Sequence, residues 1–466
     1  MAGKRQITRD DIRLKARMLA EGVRLDVRQW PFESKIYTGD TPALQNENFH
    51  VNCADPIGIL KQFEKLDTYG TSTTALGDAF IFDGCSISAP IISNPGSTLS
   101  MIVNNLTAEI RENGKTLMMG KIYSPRIGQP WSAARLSNGI SVNTVIPGMS
   151  ASIINVLFNL ACNNFNSGKA CRYCGLFSNP ISRKMVDLPI DTLKEFASLI
   201  AEAVKIITDS GWRGMLALTG GALSPEAQKG YLDRMKIVLE ALRRAIDDKV
   251  WHQLIIVYNH YPPRNFADMY EWKKIGINHT SIDLEVVDGD EFARLCPGKT
   301  EYAPYKFWKE SLVASTEVFG RLNHTSTNLV IGIEPMDRLI EGCDELLSMG
   351  VLPIPLTFIP DPHSAMAETR VPGADWLVES SDRLNNLFSK YGMKFIPAYA
   401  RDLLDNVKYA LTPASSRKDR GYAPSLWGSY LFQSKLTHLT VIFDEMIRRY
   451  QRIIPGFKYA FPTSPF

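Results

Sequence analysis

The chain has 466 residues and carries 52 Lys and Arg against 49 Asp and Glu, a formal charge of +3, with 45% hydrophobic residues. That hydrophobic content can fill a sizeable core and excludes whole-chain disorder, while the length predicts about three domains, or one large domain with additions. So small a net charge gives no electrostatic case for a dedicated nucleic-acid or anionic-membrane binder.

The opening MAGKRQITRDDIRLKARMLAEG is charged throughout and has no signal-peptide core. No run in the chain approaches the roughly 20 apolar residues of a spanning helix, so a soluble, cytoplasmic protein is expected. Thr8 with Asp11 three residues on makes a capping box for a helix ending at Gly22. Leu106–Arg111 and Thr116–Tyr123 flank Asn113-Gly114, a strong hairpin signal. Gly and Pro punctuate the remainder, and residues 1–150 are read as a small β-containing N-terminal domain of unknown role.

From about residue 151 the pattern changes. Apolar runs without alternation recur at Ile153–Leu160, Met215–Leu218, Leu254–Tyr258, Ile282–Val287, Leu329–Ile333 and Ile354–Ile359, as suits strands buried on both faces of a parallel sheet. Between them lie helical patterns. Asp191 is a candidate N-cap before Leu193, Phe196, Ala197, Ile200, Val204 and Ile207, and Leu232 to Ile246 repeats the spacing. The expected fold class is α/β, a partial or full (β/α) barrel over residues 151–400, whose ligands bind at the carboxyl ends of the strands. Residues 401–466 read as a helical C-terminal extension capping the barrel. Ala414–Gly421 is linker-like there, and Leu426–Tyr450 is a long amphipathic helix.

The informative feature is the cysteine distribution. Of seven cysteines, Cys53, Cys85, Cys296 and Cys343 are scattered singly and read as small core hydrophobes, while Cys162, Cys171 and Cys174 are crowded behind the first apolar run. Cys171-Arg172-Tyr173-Cys174 is a chelating pair suited to zinc or iron–sulfur, and Cys162 precedes it by eight intervening residues. Three thiolates on a [4Fe–4S] cluster leave one iron open to another ligand. A zinc site completed from afar and unrelated core cysteines are the alternatives.

This segment resembles the cluster loop of the radical S-adenosylmethionine (SAM) superfamily, usually spaced C-x3-C-x-aromatic-C, with Tyr173 at the aromatic position; here the first gap is eight. The strand-rich pattern is most similar to the biotin-synthase-like part of that superfamily. Thr219-Gly220-Gly221 is similar to the family's segment that receives the SAM amino group, and an ordinary turn is the alternative. Glu285 stands where the family often has a carboxylate for the SAM ribose, with Asp283 as competitor. Leu329 to Glu334 is similar to the glycine-containing strand that packs on the adenine. The resemblance implies metal ligation by Cys162, Cys171 and Cys174, with cofactor contacts from Tyr173, Thr219, Gly220, Gly221 and Glu285. It further implies reductive cleavage of SAM to a 5′-deoxyadenosyl radical that abstracts hydrogen from a small-molecule substrate. The electron would come from a donor such as flavodoxin or ferredoxin. The rival reading is a non-enzymatic iron–sulfur or zinc protein whose cysteines are structural.

Asn259-His260 ends the third run and could touch substrate or SAM, or be a satisfied structural pair. Cys296-Pro297-Gly298-Lys299-Thr300 ends like a P-loop. Ala293 stands where that motif needs its first glycine, and Pro297 removes an N–H, so ATP binding is rejected. Asp361-Pro362-His363 begins like a cobalamin motif, but Met366 breaks it.

Overall fold

The computed structural model describes residues 8–29, 79–84, 88–89, 91–92, 94–123, 131, 133–146, 153–159, 161–174, 187–360 and 364–391. The expected linker and helix beyond residue 400, and the segment 361–363, lie outside them.

Helix α1 (Arg9–Glu21) starts as expected, with both halves of the Thr8–Asp11 capping box formed. It is followed by strands β1 (Arg24–Gln29), β2 (Ala79–Phe82), β3 (Ser88–Ala89), β4 (Leu99–Asn104), β5 (Thr107–Glu112) and β6 (Lys115–Tyr123). These form one sheet in the order β1-β4-β5-β6-β2-β3, with β1 parallel to β4 and the rest antiparallel. The β5–β6 hairpin turns on Asn113 and Gly114, both at positive φ, which an Asn-Gly pair tolerates.

A second sheet holds β7 (Ile153–Asn159), β8 (Met215–Gly220), β9 (Ile255–Tyr258), β10 (His279–Ser281), β11 (Thr325–Ile331) and β12 (Leu352–Thr357). All neighbours are parallel and lie in sequence order, with β7 and β12 at the edges, which is a partial barrel. The principal returning helices are α2 (Ile190–Asp209), α3 (Tyr231–Ala245), α4 (Tyr305–Phe319) and α5 (Met336–Met349). Helix α2 begins two residues earlier than expected. Pro189 takes the N-cap position, and Asp191 lies in the first turn, where its charge suits the helix dipole.

The fourth strand departs from expectation. The apolar run Ile282–Val287 is not a strand; β10 precedes it, and the run is hydrogen-bonded along β11 with an isolated bridge from Glu285 to Leu329. Glu285 has φ +70°, a left-handed conformation that ends extended structure.

The two faces of the partial barrel differ. Ile154, Val156, Phe158, Leu216, Leu218 and Ile256 point outward into one core with Phe196, Ile200, Met235 and Val238 of α2 and α3. Ile153, Ala217, Ile255 and Val257 form a separate apolar floor inside. By alternation and register that inner face continues into Thr219, Asn259, Ser281, Asp283 and Asn328 at the carboxyl ends. The interior is therefore apolar below and polar above.

Helix α6 (Ala374–Lys390) ties the two sheets together through α1. Leu14 and Met18 of α1 pack on the first sheet, while Ala16 and Leu19 pack on Leu377 and Val378 of α6. Among the described residues no helix is long and apolar enough to cross a membrane.

Leu377 is fully buried in this joint. Leu377→Ala is expected to cost about 3 kcal/mol and to expose α1 to limited proteolysis at low denaturant while the barrel stays protected. Unchanged cleavage kinetics would mean that α1 docks by other contacts.

Candidate functional site

Cys162 lies three residues past the end of β7, at the N-cap position of the short helix Asn163–Asn166. The loop is bound to the end of β8. Asn163 N donates to Ala222 O at 2.7 Å, and the buried Asn159 side chain donates to Ala161 O at 2.9 Å and Gly221 O at 3.2 Å. A Cβ at Gly221 would fall 2.1 Å from Ala161 O and 2.5 Å from the Cys162 Cβ. The glycine thus lets the two strand ends meet, and any side chain there displaces Cys162. Gly220 is seated in the same way on Asn159, and Gly332, beyond β11, on Pro372.

The other half of the cysteine loop lies on a segment far away in sequence. Arg172 N donates to Leu295 O at 2.8 Å, and Gly298 N donates to Lys169 O at 3.0 Å. Cys296 lies between these two bonds, and the Tyr173 hydroxyl is 3.7 Å from its Sγ. Cys296 is therefore not the isolated core cysteine its spacing implied. The rejected P-loop look-alike forms a wall of the site as the helix Pro297–Tyr302.

Lys299, on that helix, is a site residue that sequence reasoning also missed. Its ammonium donates to Glu285 Oε1 at 2.5 Å and to Asp283 O at 2.7 Å, and lies 5.0 Å from the centre of the Trp308 ring. Burial works against its charge, but Glu285, Cys171, Cys296 and Asp283 together outweigh that and hold its pKa above the usual lysine value. Burial pushes the Glu285 carboxyl up, opposed by Lys299 and by a hydrogen bond from Tyr173. Cys296 beside it pulls the Cys171 thiol below its ordinary value, with Lys299 helping. Cys162 is raised by burial, which backbone N–H groups of Phe165, Ala222 and Asn164 partly offset. Cys171 and Cys174 both act electrostatically on Tyr173, whose hydroxyl is pushed up chiefly by burial.

The polar rim is a hydrogen-bonded row. The Thr219 hydroxyl donates to Asn259 Oδ1 at 3.0 Å, and Asn259 Nδ2 donates to Asp283 Oδ2 at 2.9 Å. Ser281 and the Asn328 N–H supply the other Asp283 oxygen at 2.8 and 3.1 Å. Asp283, the expected competitor of Glu285, is thus committed to joining the strand ends. His260 Nε2 donates to Gly221 O at 3.0 Å, which leaves Nδ1 unprotonated, buried and without a partner. Burial lowers its pKa from 6.5 to about 4, so the ring is neutral near pH 7.

Among the described residues no three His, Cys, Asp or Glu side chains close on a point as one metal ion requires. A four-iron cluster asks instead that each thiolate reach its own iron. The donors are soft sulfurs, none in a disulfide, and Cys171 is held toward the thiolate that ligation needs. On that chemistry the residues fit an iron–sulfur cluster.

No protein-family model matches the chain. Bacteriochlorophyllide c C-7(1)-hydroxylase of Chlorobaculum limnaeum is 32% identical to it over 405 residues, covering 86% of this chain and 90% of that protein. The chain belongs to the radical SAM superfamily. It is accordingly an enzyme, which sets aside the reading of purely structural cysteines. Members of the superfamily normally use a [4Fe–4S] cluster and SAM. The aligned 405 residues exceed the span from β7 to β12, so the likeness takes in segments outside the second sheet. The crystal structure of methylornithine synthase overlays with a TM-score of 0.37 at 15% identity, covering 71% of this chain and 95% of that one.

Lys299→Met leaves Glu285 buried without its cation and is expected to cost about 3 kcal/mol. Adding Glu285→Gln recovers a good part of that in a denaturation cycle, and a double variant no more stable than Lys299→Met would show the pair to be uncoupled. His260 takes its proton later when folded than when unfolded, so its contribution is full above pH 6.5 and is lost as pH falls through about 4. The apoprotein should lose up to roughly 3 kcal/mol across that window from this group. His260→Gln removes that component, measured as the difference between the two stability–pH curves.

Proposed function

We propose that this chain is a radical SAM enzyme in which Cys162, Cys171 and Cys174 hold a [4Fe–4S] cluster and SAM is received between Thr219–Gly221 and Glu285. What supports this most is one arrangement. The motif cysteines stand at the carboxyl ends of a partial barrel, beside the Gly220-Gly221 turn of β8 and the Glu285 carboxylate. When bound, cluster and SAM together supply a 5′-deoxyadenosyl radical that takes a hydrogen atom from the substrate.

The protein's own residues prepare that chemistry. The Cys171 thiol is drawn below its ordinary pKa by its neighbours Cys296 and Lys299. Tyr173 and Lys299 orient the Glu285 carboxylate, an acceptor for vicinal hydroxyls such as those of a ribose. Neutral His260 fixes the Gly221 carbonyl. The apolar floor beneath the polar rim keeps water from reaching the reacting groups from below. The substrate is a small molecule, and the relative's name supports a bacteriochlorophyllide-like macrocycle hydroxylated at a C–H position. The electron comes from a small donor protein of the flavodoxin or ferredoxin kind.

Anaerobically reconstituted protein given SAM and dithionite is expected to carry about one [4Fe–4S] cluster and to release 5′-deoxyadenosine. Replacing Cys162, Cys171 or Cys174 by Ala should reduce that release to background with loss of iron. Cys343→Ala, in the barrel core, should retain both. Stoichiometric zinc in place of iron in the wild-type protein would overturn this reading.

A further inference from the structure

Asn159, the last residue of β7, is completely buried, and its side-chain amide serves acceptors from three parts of the chain. Nδ2 lies 2.9 Å from Ala161 O, 3.2 Å from Gly221 O and 3.2 Å from Asp187 Oδ1. With three oxygens around Nδ2 and the Ala161 N–H facing Oδ1 at 3.5 Å, the amide has one consistent orientation. The Asp187 carboxylate reaches further. Its Oδ2 accepts from the Ser224 N–H at 3.1 Å, on the far side of the turn that leaves β8. Asp187 stands just ahead of α2, where buried Arg234 of α3 donates to the carbonyl of the adjacent Leu188 at 2.8 Å. It belongs neither to the cysteine motif nor to the glycine turn, yet its two oxygens join Asn159 to Ser224.

A carbonyl oxygen has two lone pairs. Gly221 O engages both, one with Asn159 Nδ2 and one with His260 Nε2. The plane of the Gly221–Ala222 peptide is thereby fixed, and the Ala222 carbonyl beyond it accepts from Asn163 N in the cysteine loop. The Asn159 amide has two hydrogens for its three acceptors, and the charged one binds most strongly, so Asp187 decides how that amide is turned. We propose that Asp187 is a positioning residue for SAM: its carboxylate anchors the Asn159 amide, which holds the Gly221 turn in the shape that receives the cofactor's methionine end. The inference rests on the reading of Thr219–Gly221 as the segment that receives SAM. Without the carboxylate, the Ser224 N–H and the Asn159 amide each lose a partner, and the turn gains freedom that binding then has to remove.

The experiment is equilibrium dialysis of SAM against anaerobically reconstituted, unreduced protein, with iron counted, in the wild type, Asp187→Ala, Asp187→Asn and Asn159→Ala. Asp187→Ala should keep its iron and bind SAM about tenfold more weakly. Asp187→Asn retains one acceptor and should fall between it and the wild type, so the inference does not depend on the Ala variant folding. Asp187→Ala placed on Asn159→Ala should weaken SAM little further, because the carboxylate acts through the amide; fully additive losses would overturn the proposal. In the apoprotein the Asn163 amide, which is bonded to Ala222 O and not to Asp187, should exchange its hydrogen faster in Asp187→Ala. An Asp187→Ala protein with full iron and wild-type SAM affinity would overturn the proposal. So would one that loses its iron, which would make Asp187 a support of Cys162 and not of the turn. Failure of the underlying reading looks different: the wild-type protein would then hold zinc, or carry a cluster and bind no SAM.

Discussion

An ammonium group buried at the carboxyl ends of barrel strands has to be neutralised where it stands, and the site is arranged around that requirement. Lys299 meets it with the Asp283 carbonyl, the Glu285 carboxylate and the face of Trp308. Parting a buried pair strands two charges in a poorly polarisable interior, at a cost of several kcal/mol. The helix Pro297–Tyr302 is therefore held across the strand ends. Since that helix and the residue before it carry Gly298 and Cys296, the position of the cysteine loop follows from the position of the lysine. The strained backbone of Glu285, at φ +70°, is supported by the same contacts.

The sheet explains why this chemistry lies at one end. Parallel strands need returning helices, so the outer face is committed to apolar packing along its length. The inner face has no such partner, and here it changes character along the strands. Ile153, Ala217, Ile255 and Val257 close the floor, and the Thr219–Asn259–Asp283 row forms the rim. The side chains of that row are hydrogen-bonded to one another across the strand ends, so the rim is formed before any ligand arrives. His260 is held behind it, neutral, with one nitrogen on the Gly221 carbonyl.

The leading sheet is attached by a helix with two apolar faces. One face of α1 covers the first sheet and the other packs on α6, which follows the last barrel strand. The exposed Arg9–Asp382 and Arg13–Asp375 pairs at that joint add little, because water screens them. Apolar burial at Leu19, Leu377 and Val378 carries it instead.

What the sequence by itself determined is local. The Thr8–Asp11 cap, the Asn113-Gly114 turn, five of the six apolar runs and the helical periodicities all depend on residues within a few positions of one another. So does the cysteine triplet, whose spacing identified the family. The fourth run misled because the strand ends before it, at Ser281, and within it Glu285 adopts a positive φ that no propensity predicts. Gly220-Gly221 was legible as a special turn, but that its missing side chains make room for Asn159 and Cys162 was not. Cys296 and Lys299 looked like an isolated cysteine and a broken phosphate loop, since 123 residues separate Tyr173 from Cys296 along the chain. Only the tertiary structure decided that they belong to the site. Their meeting is set by the order of parallel strands and by a buried charge that must be paired, and neither leaves a mark in a short window of sequence.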